Sequence, residues 1–186
     1  AQTENLFSLL GCIQIEQKRK AIETALAYYQ KNTKNLLSQQ RKQVIHNDMN
    51  PDNVLVNKKN PYSMAGMIDF GDMLYAPLVN DISVACAYET IREESLYDGS
   101  KYLLLGYDAE NKLTEDEIRL VPMLAYNRIA MSLIISEWRA EEHPENKDYI
   151  LGNISHTWEV FEGIALEEME IMGERLEGFA ADNIKA

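Results

Sequence analysis

Near the start of the chain, apolar residues recur at helical spacing: Ala21, Ile22, Ala25, Leu26 and Tyr29 share one face, and Leu36 and Leu37 follow. One or two helices are predicted there. The pattern then changes. Val44 and Ile45 form a short apolar pair ahead of the polar run His46-Asn47-Asp48-Met49-Asn50-Pro51-Asp52-Asn53, whose residues favour a loop. Val54-Leu55-Val56 reads as a strand, Lys58 to Ser63 as turn material and Met64 to Ile68 as a returning strand, so a hairpin is expected. From Asp81 the spacing is helical again, with Asp81 as the expected N-cap and Ile82, Ala85 and Cys86 on the buried face. Thr114 with Glu117 has the spacing of a capping box, and Ile118, Val121, Leu124 and Ala125 carry the apolar face on toward Trp138. Pro144, between His143 and Asn146, predicts a break, after which Ile150 to about Leu176 resumes helical spacing with acids outward. The predicted fold class is α+β and predominantly helical, as one domain over residues 1–186, with neither an internal repeat nor a low-complexity linker.

Composition narrows what such a chain does. At 46% hydrophobic and 26% charged it has an ordinary globular balance. Acids outnumber bases 30 to 18, for a net charge of -12, which argues against a broad nucleic-acid footprint and suits a cationic substrate. Cys12 and Cys86 stand far apart without a disulfide-like spacing, so both are read as buried thiols in a reducing compartment. The apolar stretches look too short to cross a bilayer and no signal-like segment opens the chain, so the expected location is cytoplasmic with no membrane partner.

The candidate chemistry lies in the polar loop and at the end of the hairpin. His46, Asp48 and Asn53 fit His-x-Asp-x-x-x-x-Asn, and Asp69-Phe70-Gly71 follows after a hairpin-sized interval, as in kinase catalytic and metal-binding motifs. At roughly one in twenty per fixed position, this ordered pair arises by chance on the order of once in ten thousand chains or fewer. A hairpin that leaves Asn53 and returns to Asp69 brings two oxygen ligands together, the type of ligand magnesium takes alongside phosphate and water. Asn53 and Asp69 are therefore the expected metal ligands. Asp48, on the loop before the first strand, is the expected base for a substrate hydroxyl. His46 is read as a support that holds the loop through backbone carbonyls, and Asp72 as a structural residue close to the metal. Trp138 and Trp158 are expected to anchor the core. His143 and His156 lack metal-site partners, and no Ser or Cys stands in a nucleophile context.

The run His46 to Val56 resembles the catalytic loop of the aminoglycoside phosphotransferase and choline kinase superfamily, and Ile68-Asp69-Phe70-Gly71-Asp72-Met73 resembles its metal motif. The wording His-Asn-Asp, then Asp-Phe-Gly-Asp-Met, is most similar to the hydroxylysine kinase-like branch; Gly106-Tyr107 and Leu113 to Glu117 add to the likeness, which covers about Ala21 to Trp158. The resemblance implies the C-terminal lobe of a protein-kinase-like fold, with a small hairpin carrying the metal site and Leu55 and Ile68 as the floor under the nucleotide base. It also implies Mg2+, ATP or GTP as phosphate donor, and a small acceptor such as an amino acid, amino alcohol or aminoglycoside. Glu137, Glu141 or Glu142 are candidates to bind the acceptor's amine. Protein kinases fit less well, because Ala76-Pro77 follows Asp69-Phe70-Gly71 almost at once and leaves no room for an activation segment. A Gly-rich loop and a Lys-bearing strand do not precede the catalytic loop, and Gly11 is the only glycine before Gly66. The nucleotide-gripping N-terminal lobe is thus expected to be absent from this chain, and transfer to need the full-length protein. The rival expectation is a non-catalytic binding module, with apolar residues near Val44, Leu55 and Ile68 exposed or covered by a second copy of the chain.

Overall fold

The computed structural model describes residues 3–152 and 154–184. After the short α1 (Thr3–Leu6) and a 3-10 turn at Phe7–Cys12, α2 (Glu16–Tyr28) buries Ile22, Ala25 and Leu26, the face that the apolar spacing predicts. A π-helical turn, Tyr29–Thr33, joins it to α3 (Lys34–Ser38), in which Leu37 is buried and Leu36 exposed.

Four short strands then frame the polar loop. β1 (Lys42–Ile45) leads into it, β2 (Val54–Asn57) leaves it, β3 (Asn60–Met67) returns, and β4 (Leu74–Pro77) follows the Asp-Phe-Gly segment. β2 and β3 pair antiparallel as the expected hairpin, from Val54 against Met67 to Asn57 against Asn60. Its turn is tighter than the sequence suggested, because Asn60 and Pro61 already lie in the strand. β1 and β4 also pair antiparallel, Ile45 against Leu74 and Lys42 against Pro77. The two pairings place loop 46–53 and segment 68–73 side by side, and Ala76-Pro77 is occupied in the sheet directly after them.

The helical body holds α4 (Val79–Glu93), α5 (Leu96–Glu110), α6 (Glu115–Glu142), α7 (Lys147–Ile150), α8 (Ile154–Gly163) and α9 (Met169–Ile184). α6 is the central element, packed by α4, α5, α8 and α9. It begins at a complete capping box: Thr114 Oγ1 accepts from the Glu117 N–H at 3.2 Å, and Glu117 Oε2 accepts from the Thr114 N–H at 2.8 Å. Two glycines permit close helix approach. A Cβ on Gly99 of α5 would lie 2.5 Å from the Thr90 nitrogen of α4, and one on Gly173 of α9 would lie 2.7 Å from the Arg119 carbonyl of α6.

Several expectations are corrected. α4 starts at Val79 with Leu78 at the N-cap position, so Asp81 sits inside the first turn rather than capping it. Ile150 to Leu176 is divided among α7, α8 and α9, with a turn at Leu151-Gly152 and an irregular stretch after Gly163. Trp158 is buried at 2% exposure, but Trp138 is 37% exposed and does not anchor the core. Cys12 is half-buried, whereas Cys86 is fully buried. α6 is long and apolar enough to cross a bilayer by length and composition, contrary to the sequence reading, yet 72% of its most apolar window is buried inside the protein.

Candidate active site

His46 joins the two motifs. Its Nδ1 accepts from the Asp48 N–H at 3.4 Å, which leaves the proton on Nε2, 3.0 Å from the Ile68 carbonyl it donates to. The residue is 7% exposed, and its ring meets Phe70 edge-on, with centroids 4.9 Å apart. One imidazole therefore holds the loop before β2 against the residue preceding Asp69. The backbone adds a second tie, from the Ile68 N–H to the Asn53 carbonyl at 3.0 Å.

Two loop residues adopt left-handed backbone, Asn47 with φ 65° and Asp69 with φ 60°, a region Asn and Asp tolerate better than most side chains. At Asn47 the turn is held from outside: its N–H donates to Asp81 Oδ1 at 2.8 Å. Asp81 is thus tied to the loop rather than to a helix end. At Asp69 the carboxylate accepts weakly from the Gly71 N–H at 3.4 Å and is otherwise exposed.

Asp48 is held by three donors. Arg128 Nη2 reaches Oδ1 at 2.6 Å, while Asn50 Nδ2 and Asn53 Nδ2 reach Oδ2 at 3.0 and 3.2 Å. A carboxylate accepts about four hydrogen bonds, two per oxygen, so one position remains, on Oδ1 beside Arg128. Asn53 also donates from Nδ2 to the Asp48 carbonyl at 2.8 Å, so its amide nitrogen faces Asp48 and its oxygen is left for another partner. That oxygen and the exposed Asp69 carboxylate are hard donors of the kind magnesium takes, and the chemistry of the pair fits the ion. Among the described residues no group of three or more His, Cys, Asp or Glu stands ready to hold a metal alone, so phosphate oxygens and water would have to complete the shell.

The other sequence candidates lie as follows. Leu55 of β2 and Ile68, just after β3, are half-exposed, at 46% and 44%. Asp72 is exposed in the turn Phe70–Asp72. Glu137 accepts from Trp158 Nε1 at 3.4 Å, and Glu141 lies beside the Cys12 thiol, which burial and that carboxylate push up to about 11. Glu137 stands nine residues beyond Arg128 on α6, roughly 13 Å along the axis, so these acids do not converge on Asp48.

Arg128 and Asp81 are the site residues that the sequence reading missed. Arg128 had one signal, a cation inside the apolar run Leu124 to Ile134 of a core helix. Asp81 had none beyond its helix-start position. A further tie fixes the strand that feeds the loop: Arg41, just before β1, donates to Glu117 through Nε at 3.0 Å and Nη2 at 2.7 Å, and to the Lys112 carbonyl. Burial pushes the Glu117 carboxyl up, but the hydrogen bonds from Arg41 and Thr114 outweigh it and hold the group below the usual range.

Comparison with known proteins points the same way. Residues 13–111 match the profile of a family described as "Phosphotransferase enzyme family", a span that holds Asp48, Asn53 and Asp69 but not Arg128. The chain is 24% identical to hydroxylysine kinase of Mus musculus over 155 residues, 80% of this chain and 41% of that protein. It is 25% identical over 147 residues to hydroxylysine kinase of Xenopus laevis (75% and 39%), and 23% identical over 165 residues to that of Bos taurus (86% and 43%). The chain thus spans about two-fifths of the length of the curated relatives it matches. No solved structure matches it.

Proposed function

The chain belongs to the phosphotransferase enzyme family, and on that premise we propose that it is the catalytic lobe of a small-molecule kinase that moves the terminal phosphate of ATP or GTP to an acceptor hydroxyl. The observation that carries this reading is the convergence of the two motifs, pinned by His46 on the Ile68 carbonyl and by Ile68 on the Asn53 carbonyl. The relatives named hydroxylysine kinase make a hydroxylated amino acid such as 5-hydroxylysine the first acceptor to test.

In this mechanism Asp48 orients the acceptor hydroxyl on the remaining lone pair of Oδ1 and takes its proton as the oxygen attacks phosphorus. Arg128, Asn50 and Asn53 keep the carboxylate in one orientation, so that little reorganisation is needed at the moment of transfer. Asn53 and Asp69 would hold magnesium, which when bound neutralises charge on the nucleotide phosphates. Leu55 and Ile68 offer apolar surface to the base. The free thiols of Cys12 and Cys86 suit a reducing, cytoplasmic setting.

A second reading, a binding module without catalysis, draws on exposed apolar residues: Val44 at 60%, Leu55 and Ile68 leave apolar surface for a partner or a second copy of the chain. Calorimetric titration with magnesium and ATP, then GTP, separates the two. Nucleotide binding that weakens at least tenfold in Asp69→Asn supports the phosphotransferase lobe; unchanged affinity in that variant favours the module, and no binding shows that this chain alone does not hold the nucleotide.

A further inference from the structure

The π-helical turn Tyr29–Thr33 leaves one hydroxyl unused. Thr24 and Thr90 lie inside α-helices and donate to the carbonyl four residues back, Lys20 at 2.8 Å and Cys86 at 2.7 Å. Thr33 does not, because the π register gives the corresponding carbonyl, that of Tyr29, to the Lys34 N–H. Thr33 is 3% exposed, caps nothing at the start of α3, and has no side-chain hydrogen bond among the described residues. Its oxygen is nonetheless not sealed inside the protein. The residue lines a cavity of about 410 Å³ between α3, the first turns of α6 and the start of α9.

That cavity is separate from the candidate active site, since none of residues 46–73 lines it. Its volume falls within the roughly 300–1,000 Å³ of small-molecule sites. Leu36, which α3 leaves 53% exposed, and the buried Met123 and Met169 give it an apolar wall. The thioethers adapt to the shape of what lies against them. The unpaired charges in the lining have one sign: Asp116, Glu170 and Glu174 contribute carboxylates, while Arg119, the one cation among the described lining residues, is already paired with Glu177 of α9. A buried hydroxyl without a partner is costly and rare in native proteins, and a ligand atom at Thr33 would relieve it.

We propose that this cavity binds a primary alkylammonium, whose chain lies on Leu36, Met123 and Met169 and whose ammonium donates to the Thr33 hydroxyl oxygen and to the carboxylates around it. Two features favour this head over others. An ammonium carries three donors and no acceptor, which matches a hydroxyl oxygen with open lone pairs and carboxylates that only accept. Its charge also complements the lining, where a carboxylate or phosphate head would meet like charge at Asp116, Glu170 and Glu174. A neutral alcohol pairs with Thr33 but brings the acids no counter-charge. The site is additional to the phosphotransferase reading and stands or falls without it.

Three probes of one chain length, hexylamine, hexanol and hexanoate, test the head group by amide-resolved NMR titration of the 186-residue chain. Hexylamine is expected to bind about tenfold more tightly than hexanol, and hexanoate to show no saturable binding. The amide signals of Thr33, Leu36 and Glu170 should move with hexylamine, and those of residues 46–48 and 69–72 should stay in place. Thr33→Val keeps the shape and removes the oxygen, so it should lower hexylamine affinity about tenfold without lowering the urea midpoint, because the hydroxyl supports nothing in the fold. Equal affinity for hexylamine and hexanol, no binding of hexylamine, or shifts confined to the catalytic loop overturns the site. Full hexylamine affinity in Thr33→Val does the same, and so does a lowered midpoint, which would show the hydroxyl paired within the protein. The probe series on the unsubstituted chain decides the matter even where the variant fails to fold.

Discussion

Replacing Glu117 with Ala tests the tie that sets the root of β1 on the start of α6. The side chain is 0% exposed and accepts three hydrogen bonds, from Arg41 Nε at 3.0 Å, Arg41 Nη2 at 2.7 Å and the Thr114 N–H at 2.8 Å. Loss of the capping contact costs about 1 kcal/mol. Breaking a buried ion pair costs ~3–5 kcal/mol when the surviving charge is stranded. Arg41 is not stranded, because its side chain is 49% exposed and Nη2 keeps the Lys112 carbonyl, so about 1–2 kcal/mol is the appropriate share. The expected sum is ~2–3 kcal/mol, or ~5–10 °C in Tm for a chain of this size. Urea unfolding followed by helical circular dichroism measures it, and Glu117→Gln, which retains an acceptor for Thr114, should lose about half as much. The pH dependence has a definite sign. The folded carboxyl is held below its ordinary value of 4.5, so its contribution is fully present above that pH and is lost as the pH falls through the lower, folded value. The stability difference between the unsubstituted chain and Glu117→Gln should then be flat from neutrality to about pH 4.5 and shrink below it. A loss under ~0.5 kcal/mol for Glu117→Ala, or a difference that grows in acid, would refute this account.

Asp48→Asn should leave the Tm of this chain within a few degrees but lower phosphate transfer by the full-length protein at least a hundredfold, read as nucleoside diphosphate release; normal turnover would remove Asp48 from the base role. Gly99→Ala should destabilise by about 1–3 kcal/mol in urea, since the new methyl would meet the α4 backbone at 2.5 Å, and an unchanged midpoint would show that α4 and α5 part easily. The Cys86 thiol, pushed up to about 12 by full burial, should resist iodoacetamide at neutral pH until the chain unfolds, as intact-mass measurement over denaturant would reveal; alkylation of the folded chain at Cys86 would contradict its burial.

The local parts of this molecule were legible in its sequence because short-range chemistry writes them. A capping box needs only Thr114 and Glu117, and a hairpin needs only the alternation of strand and turn residues on either side of Lys58. Helix limits proved harder where no residue enforces them. α4 starts at Val79 behind an N-cap residue, Leu78, that has no capping side chain, and the breaks after Ile150 and Gly163 interrupt a pattern whose apolar spacing continues across them. Trp138 shows a related limit: periodicity put it on the core face, yet it is 37% exposed. Asp81 carried helix-start chemistry, and its use on Asn47 depends on how β4 delivers α4 to the loop. Arg128 lies 80 residues from Asp48, so only the folded chain reveals their contact.

Those distant contacts explain how a loop of eight residues between two-stranded sheets keeps one shape. Isolated two-stranded ribbons are marginal in water, and none of the side chains of β2 or β3 enters the buried core. The loop and the strand that feeds it are instead bound to different supports: Arg41 ahead of β1 to Glu117 of α6, and within the loop His46 to Ile68, Asn47 to Asp81 of α4, and Asp48 to Arg128 of α6. Three of the four reach the helical body, and two reach α6, the most deeply buried helix. Rigidity at Asp48 is therefore borrowed from α4 and α6, while the hairpin supplies only the return that brings Asp69 back to Asn53. It follows that core substitutions on α6 near Arg128, such as at the fully buried Ile129 or Ala130, should disturb the loop more than substitutions in the nearer hairpin. Amide exchange read across residues 46–48 gives the order: protection that tracks the stability of α6 rather than that of β2 and β3 is the expected result, and the opposite ranking would place the support in the hairpin.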